Sequence, residues 1–213
     1  MDRESKYWIL IAVFVSSVIA ANLMGNKIAD FGLFQTGVGI MIFPFSYIIL
    51  DIIQEVEGKA TARKILLATL AALVLVTIIT FIGTQLPSAS RDFFKNGEYN
   101  KVFGVSVRVM LASLTAFIIS ELSDIEIFAR LKTWTKSKML WLRATGSTII
   151  SQFVDTMIFM FLAFYAITPK YDVMFILSIA IPYWLLKSAI SLFGTPLVYA
   201  GVKWLGEKKR LDN

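Results

Sequence analysis

The chain has 213 residues, 57% of them hydrophobic and only 17% charged, with a mean hydropathy of +0.70. A soluble domain of this length carries about a quarter of its residues as Asp, Glu, Lys and Arg, so a water-soluble globule is excluded. There is no Cys and no His, so disulfides and thiolate metal sites are impossible and the commonest general base and metal ligand is missing. Hydrolytic, redox and zinc chemistry lose most of their usual parts; the expectation is no enzyme, no metal and no cofactor. The net charge of +6 comes from basic residues in short caps between apolar stretches, the pattern of membrane-protein loops, and no nucleic-acid partner is expected.

About 20 apolar residues cross the hydrocarbon core as a helix, and the chain offers six such stretches. The spans are predicted at 7–24, 37–53, 65–85, 105–124, 147–167 and 173–199, leaving room for one membrane domain over 1–213 and nothing else. The first follows a short charged start, and Val18 and Ala20 before Ala21 also suit a signal-peptide cleavage site. Polar Asn22, Asn26 and Lys27 just beyond argue for a retained span. Its Ala12, Ser16 and Ala20 form a small-xxx-small stripe, read as close helix packing or as a docking surface for another membrane subunit.

Pro44, Pro182 and Pro196 fall inside spans and are expected to bend them. The 126–143 segment mixes Phe128, Leu131, Trp134 and Leu140 with Arg130, Lys132, Lys136 and Lys138. It reads equally as an amphipathic helix on the inner leaflet and as a solvated loop. Trp8, Tyr47, Trp141, Tyr183 and Trp204 read as interfacial anchors or as pocket walls. Counting Lys and Arg, the N-terminus, 59–64, 126–143 and the C-terminus hold 14 of 21 and the alternating loops five, Arg108 and Lys187 being inside spans. The positive-inside bias places both termini in the cytoplasm, as an even span count requires.

Polar residues that a membrane helix should avoid mark the candidate site. Asp51, Gln54 and Glu55 share one face of the second span, Glu121 and Asp124 one face of the fourth, and Thr148, Gln152, Asp155 and Thr156 one face of the fifth. Asp155 lies deepest in an apolar stretch. A carboxylate there must pair, protonate or meet a polar ligand, and Lys187 and Arg108 are its candidate partners. Residues 118–128 (IISELSDIEIF) and 149–159 (IISQFVDTMIF) match at six of eleven positions at an offset of 31, with Ser120 over Ser151 and Asp124 over Asp155. On antiparallel neighbours the copies would present Ser and Asp to a shared pocket; chance similarity between two apolar helices is the alternative.

The stretches FPFSYIILDIIQEVEG, ASLTAFIISELSDIEIF and WLRATGSTIISQFVDTMIF resemble the queuosine precursor transporter family, a vitamin-uptake-like group of membrane proteins. The resemblance runs from about Asn22 to Phe164. The family's Asp-x-x-x-Glu-Val-Tyr-Gly falls on Asp51, Glu55, Val56 and Gly58, with Glu57 in place of Tyr. Its Ser-Gln pair becomes Ser120 and Glu121, ahead of Asp124. Its Arg, Ser-Thr, Ser-Gln and Asp-Thr elements match Arg143, Ser147, Thr148, Ser151, Gln152, Asp155 and Thr156.

The resemblance implies uptake of a 7-deazaguanine, preQ0 or preQ1, and an all-α bundle of six spans similar to the substrate-binding subunits of energy-coupling-factor transporters. The extra carboxylate of Glu121 would suit the cationic aminomethyl group of preQ1. The expected binding set is Asp155, Gln152, Asp51, Glu55, Asp124, Glu121, Ser151 and Thr148, with Asn22, Asn26 and Lys27 outside and Arg143 pairing with an acid inside. Phe43, Phe45, Tyr47, Phe153, Phe159 and Trp184 are available to cover the heterocycle's flat face. The expected partners are a nucleobase-like molecule, the lipid bilayer of the cell membrane, and an energy-coupling subunit or a second copy. The rivals are a subunit for another vitamin-like compound served by a separate ATPase, a membrane enzyme acting on lipids, and a scaffold without transport.

Overall fold

In the computed structural model, residues 1–24, 27–30, 35–93, 97–104, 107–166, 169 and 171–206 are described. Six long helices carry the chain: α1 (Arg3–Met24), α2 (Gly39–Glu57), α3 (Lys59–Gln85), α5 (Val107–Trp134), α6 (Leu140–Phe164) and α7 (Val173–Leu205). Two small elements sit in the connections. A hairpin, β1 (Ile28–Asp30) with β2 (Gln35–Gly37), pairs antiparallel with Ala29 opposite Thr36, and α4 (Glu98–Phe103) is a short helix before α5. Among the described residues, four helices, α1, α3, α6 and α7, are long and apolar enough to cross a membrane. The protein is an all-α, multi-pass membrane protein with this one hairpin added.

Several boundaries move relative to the sequence pattern. The fourth span was expected to stop at Asp124, but α5 continues for ten further residues, and α6 begins at Leu140. The 126–143 segment is therefore neither a separate surface helix nor a long loop. Alternating apolar and basic residues satisfy the helix period whether the helix lies on the bilayer or extends out of it, so sequence alone does not separate the two. The reversal is confined to 135–139, where Lys136, Ser137 and Met139 take positive φ. The other long helices start or end several residues outside the apolar windows because a helix does not stop where its hydrophobicity does. α7 is helical from end to end with Pro182 and Pro196 inside it.

The start of α1 and the end of α7 lie together: the Lys6 ammonium donates to the Trp204 carbonyl at 2.8 Å. This termini end also carries the α2–α3 turn and the α5–α6 turn. Arg3 pairs with Glu57, and Lys59 and Arg63 with Glu126. The hairpin, the end of α3, α4 and the start of α5 form the opposite, hairpin end.

Between lipid-exposed helices the hydrophobic effect supplies little drive, because lipid tails are as apolar as Leu; close packing and polar contacts must do the work. α2 illustrates this. Its Ile48 and Ile52 fill the places beside Gly194 and Gly201 of α7, where a Cβ on Gly194 would come within 2.7 Å of Ile48 Cδ1. Its other face joins Phe14 and Val18 of α1, Leu66 and Leu73 of α3, and Phe117 and Ile125 of α5 in one buried cluster. The small-residue stripe of α1 has a different fate: Ala12 and Ser16 are exposed, and the packing face is Phe14, Val18 and Ala21.

Candidate functional site

A cavity of about 450 Å³ opens among α1, α2, α3, α4, α5, α6 and α7 in the hairpin half of the molecule. Its lining is mainly apolar, with Phe43, Phe117, Phe159 and Tyr183 as rings and Met110 and Met160 as flexible neighbours. The polar groups are few and grouped. The Lys187 ammonium donates to Asp155 Oδ2 at 2.8 Å and lies 5.2 Å from the Phe43 ring centre and 5.5 Å from that of Tyr183. Both partners are well shielded, Lys187 at 4% and Asp155 at 16% side-chain exposure, so this is an ion pair in a nearly dry wall. On the α1 side, Ser113 Oγ donates to Asn22 Oδ1 at 2.8 Å, and the Asn22 amide donates back to the Val18 carbonyl.

Behind the Asp155–Lys187 pair the polar residues continue into the protein rather than into the cavity. Asp51, Gln54, Glu121, Asp124, Ser151, Gln152 and Thr148 are all buried and none lines the cavity. Ser151 Oγ donates to Asp124 Oδ1 at 2.9 Å, and Gln152 Nε2 to Ser191 Oγ at 2.6 Å. Gln54 Nε2 donates to the Ile125 carbonyl at 2.7 Å. Seven buried atoms of this layer have no hydrogen-bond partner: Asp51 Oδ1, Gln54 Oε1, both carboxylate oxygens of Glu121, Gln152 Oε1, Thr156 Oγ1 and Ser188 Oγ. Unsatisfied buried groups are costly and rare in folded proteins, and their concentration here sets this layer apart from the rest of the core.

A plug closes the termini end. Arg143, 2% exposed, holds Glu55 with two nitrogens, Nη2 to Oε1 at 2.7 Å and Nε to Oε2 at 3.0 Å. Its remaining nitrogen donates to the Lys138 carbonyl at 2.8 Å, and its guanidinium lies 5.8 Å from the Phe128 ring centre. Lys132 reaches the same carboxylate at 3.1 Å. Planar two-point pairing is what a guanidinium does and an ammonium does not.

Several expectations are thereby re-sorted. Of the eleven expected binding residues that are described, only Asp155 and Asn22 line the cavity. Glu55 and Arg143 belong to the plug. Asp51, Glu121, Asp124, Thr148, Ser151 and Gln152 form the buried layer, because each lies on the helix face turned to α2, α5, α6 or α7. Glu121 has no place on the cavity wall from which to meet an aminomethyl group. Lys27 is exposed and does not line the cavity; Asn26 lies outside the described residues, as does the side chain of Arg108.

Among the aromatics, Phe43 and Phe159 line the cavity. Phe45 is exposed, Tyr47 is buried, and Phe153 and Trp184 pack edge to face with the indole N–H on the Ile149 carbonyl. Trp8, Trp141 and Trp204 are exposed, and Tyr183 is a pocket wall. Ser113, Phe117, Thr77 and Thr80 are cavity residues that the sequence did not single out. Small hydroxyl residues are ordinary in membrane helices and bond their own backbone, as Thr77 does to Leu73, so nothing in the pattern flags them. No group of His, Cys, Asp and Glu among the described residues is arranged to hold a metal ion.

Comparison with known proteins adds a direction. A family model described as "Putative vitamin uptake transporter" matches residues 37–201. The probable queuosine precursor transporter of Bacillus subtilis (strain 168) is 33% identical over 196 residues, 91% of this chain and 83% of the relative. The queuosine precursor transporter of Escherichia coli (strain K12) is 28% identical over 132 residues, 62% of this chain and 57% of the relative. The probable queuosine precursor transporter of Haemophilus influenzae is 28% identical, covering 76% of this chain and 64% of the relative. No solved structure matches.

Proposed function

Since the chain belongs to the queuosine precursor transporter family and is a multi-pass membrane protein, we propose that it imports a 7-deazaguanine such as preQ0 or preQ1, bound against the Asp155–Lys187 pair. The observation that carries this reading is the cavity itself: an aromatic-walled space of about 450 Å³ with one ion pair in its wall. Small-molecule sites of roughly 300–1,000 Å³ are mostly apolar with a few fixed polar groups.

The chemistry of the ligand fits those groups. A guanine-like edge presents two adjacent N–H donors, which the Asp155 carboxylate accepts side by side. Lys187 then offers a donor to the ring's carbonyl oxygen. Phe43, Phe159 and Tyr183 cover the flat faces, and Asn22 with Ser113 supplies a second polar contact.

In this reading six helices cross the cytoplasmic membrane as one domain, with the termini end in the cytoplasm. The basic residues clustered at that end support it. The hairpin end and the open cavity then face the source of substrate. The exposed Ala12 and Ser16 face of α1 is where an energy-coupling subunit or a second copy would seat.

The test is a thermal-shift and equilibrium-binding screen of the purified protein with preQ0, preQ1, guanine and adenine. Stabilisation by a 7-deazaguanine, lost in Asp155→Asn, supports the assignment. No shift with any purine favours a scaffold or an unrelated ligand. Uptake by the purified chain alone in liposomes, against uptake only with an ATPase module, separates a self-sufficient carrier from a binding subunit.

A further inference from the structure

The sequence repeat at offset 31 reappears as a reciprocal contact. Ser120 of α5 donates to Asp155 Oδ1 of α6 at 3.4 Å, and Ser151 of α6 donates to Asp124 Oδ1 of α5 at 2.9 Å. Each copy's Ser therefore meets the other copy's Asp, as a local two-fold axis between antiparallel helices requires. The two half-sites are one helical turn apart along the bundle, about 6 Å for four residues, and α5 and α6 make the most extensive interhelical contact in the molecule.

The half-sites are equivalent in sequence but not in environment. Asp155 lines the open cavity at the hairpin end and carries Lys187. Asp124 is 1% exposed and displaced toward the termini end. Around it lie the orphaned acceptors of Glu121 and Asp51, both within electrostatic range of Asp124. Beside them a void of about 10 Å³, lined by Asp51, Thr145, Thr148, Ser191 and Thr195, penetrates between α2, α6 and α7. That is about the space of a single water. A ligand-sized cavity at one half-site and a narrow, half-polar void near the other is the asymmetry that one state of a two-state carrier shows.

We propose that Asp124, with Ser151, Asp51 and Glu121, is a second ligand station facing the termini end, and that transport hands the donor-rich edge of the ligand from Asp155 to Asp124 as the cavity closes and the void opens. The orphaned carboxylate oxygens are then acceptors held for N–H donors that arrive only in the other state. Lys187 stays with Asp155 when the ligand leaves, so neither carboxylate of the repeat is stranded without a donor in both states at once. The void opens by parting α2 from α6 and α7, and the Arg143–Glu55 plug just beyond it must release for the ligand to exit.

The proposal rests on the carrier reading above and is tested so that the two fail separately. The chain has no Cys, so Thr145→Cys and Thr80→Cys each install a sole thiol, one in the void and one in the cavity wall. Their reaction with a charged methanethiosulfonate is followed in vesicles of known sidedness, with and without preQ1. The expected result is that preQ1 speeds labelling of Thr145→Cys from the termini face by about threefold or more and slows that of Thr80→Cys from the other face. Asp124→Asn is expected to cut preQ1 exchange about tenfold or more, with the preQ1 Kd within about threefold of wild type, whereas Asp155→Asn loses both.

Thr145→Cys labelling that ignores preQ1 in vesicles that exchange it, or wild-type exchange by Asp124→Asn, would overturn the second station and leave the carrier standing. If Asp124→Asn does not fold, the thiol measurement, made with Asp124 intact, decides. A wild-type protein that neither binds nor exchanges preQ1 would overturn both.

Discussion

Lys187 and Asp155 form a 2.8 Å ion pair across α7 and α6, at the boundary between the open cavity and the buried polar layer. Removing one partner of such a pair leaves a charge with nothing to answer it. Lys187→Met is expected to destabilise the protein by about 3 kcal/mol, the lower end for a buried pair because Asp155 is not fully buried. Adding Asp155→Asn to it should recover most of that loss. Denaturation in detergent, run as a double-mutant cycle, measures both numbers.

The Arg143–Glu55 plug responds differently to charge and to shape. Arg143→Lys keeps the charge but gives up the two-point geometry and the third bond to the Lys138 carbonyl. A loss of about 1.5–3 kcal/mol is expected, little changed by added salt because the guanidinium is buried. The same thermal measurement at low and high ionic strength tests the salt insensitivity.

Beyond the predicted end of the fourth span, Glu126 is held below the usual carboxylate range, chiefly by the hydrogen bond from Lys59 and then by that from Arg130. A depressed folded-state value means that the group stabilises the fold fully above its ordinary value of 4.5 and loses that contribution as pH falls below it. Glu126→Gln should therefore flatten the acid limb of a stability–pH profile and leave its shape above pH 6 alone. Thermal melts across that range give the comparison.

Close packing of α2 on α7 depends on two glycines that any side chain would fill. Gly201→Ala drives a methyl into Ile52 and is expected to cost about 1–3 kcal/mol as overpacking. Ile52→Val, which removes the Cδ1 atom, should relieve much of it when the two are combined. The chymotryptic resistance or melting point of the single and double variants decides.

How much of this was legible in advance depends on which physical signal each feature leaves. Asp155 stood out because an ionisable residue deep in an apolar run is expensive wherever it points, and Lys187 stood out for the same reason, whereas Arg143, just ahead of the fifth span, was marked through the family resemblance. The cavity walls left no comparable trace. Phe117 and Ser113 line it while Phe45 and Phe153 do not, yet all four are unremarkable in membrane helices. The acids of α2 and α5 were marked as unusual, but that they lie behind the cavity wall rather than on it was not legible, because sequence gives the helix face and not what that face meets.

Apolar length and the missing charge by themselves determined a multi-pass helical membrane protein. The spacing of Ser and Asp in the 118–128 and 149–159 copies determined that two helices carry the same polar signal. Only the tertiary structure decided that these copies face each other antiparallel and donate reciprocally, that Asp155 meets the cavity, and that Asp124 is sealed behind it. The reason is that burial in a bundle is set by neighbours distant in the chain: α2 and α7 are separated by most of the sequence, yet together they enclose one half-site and leave its twin open.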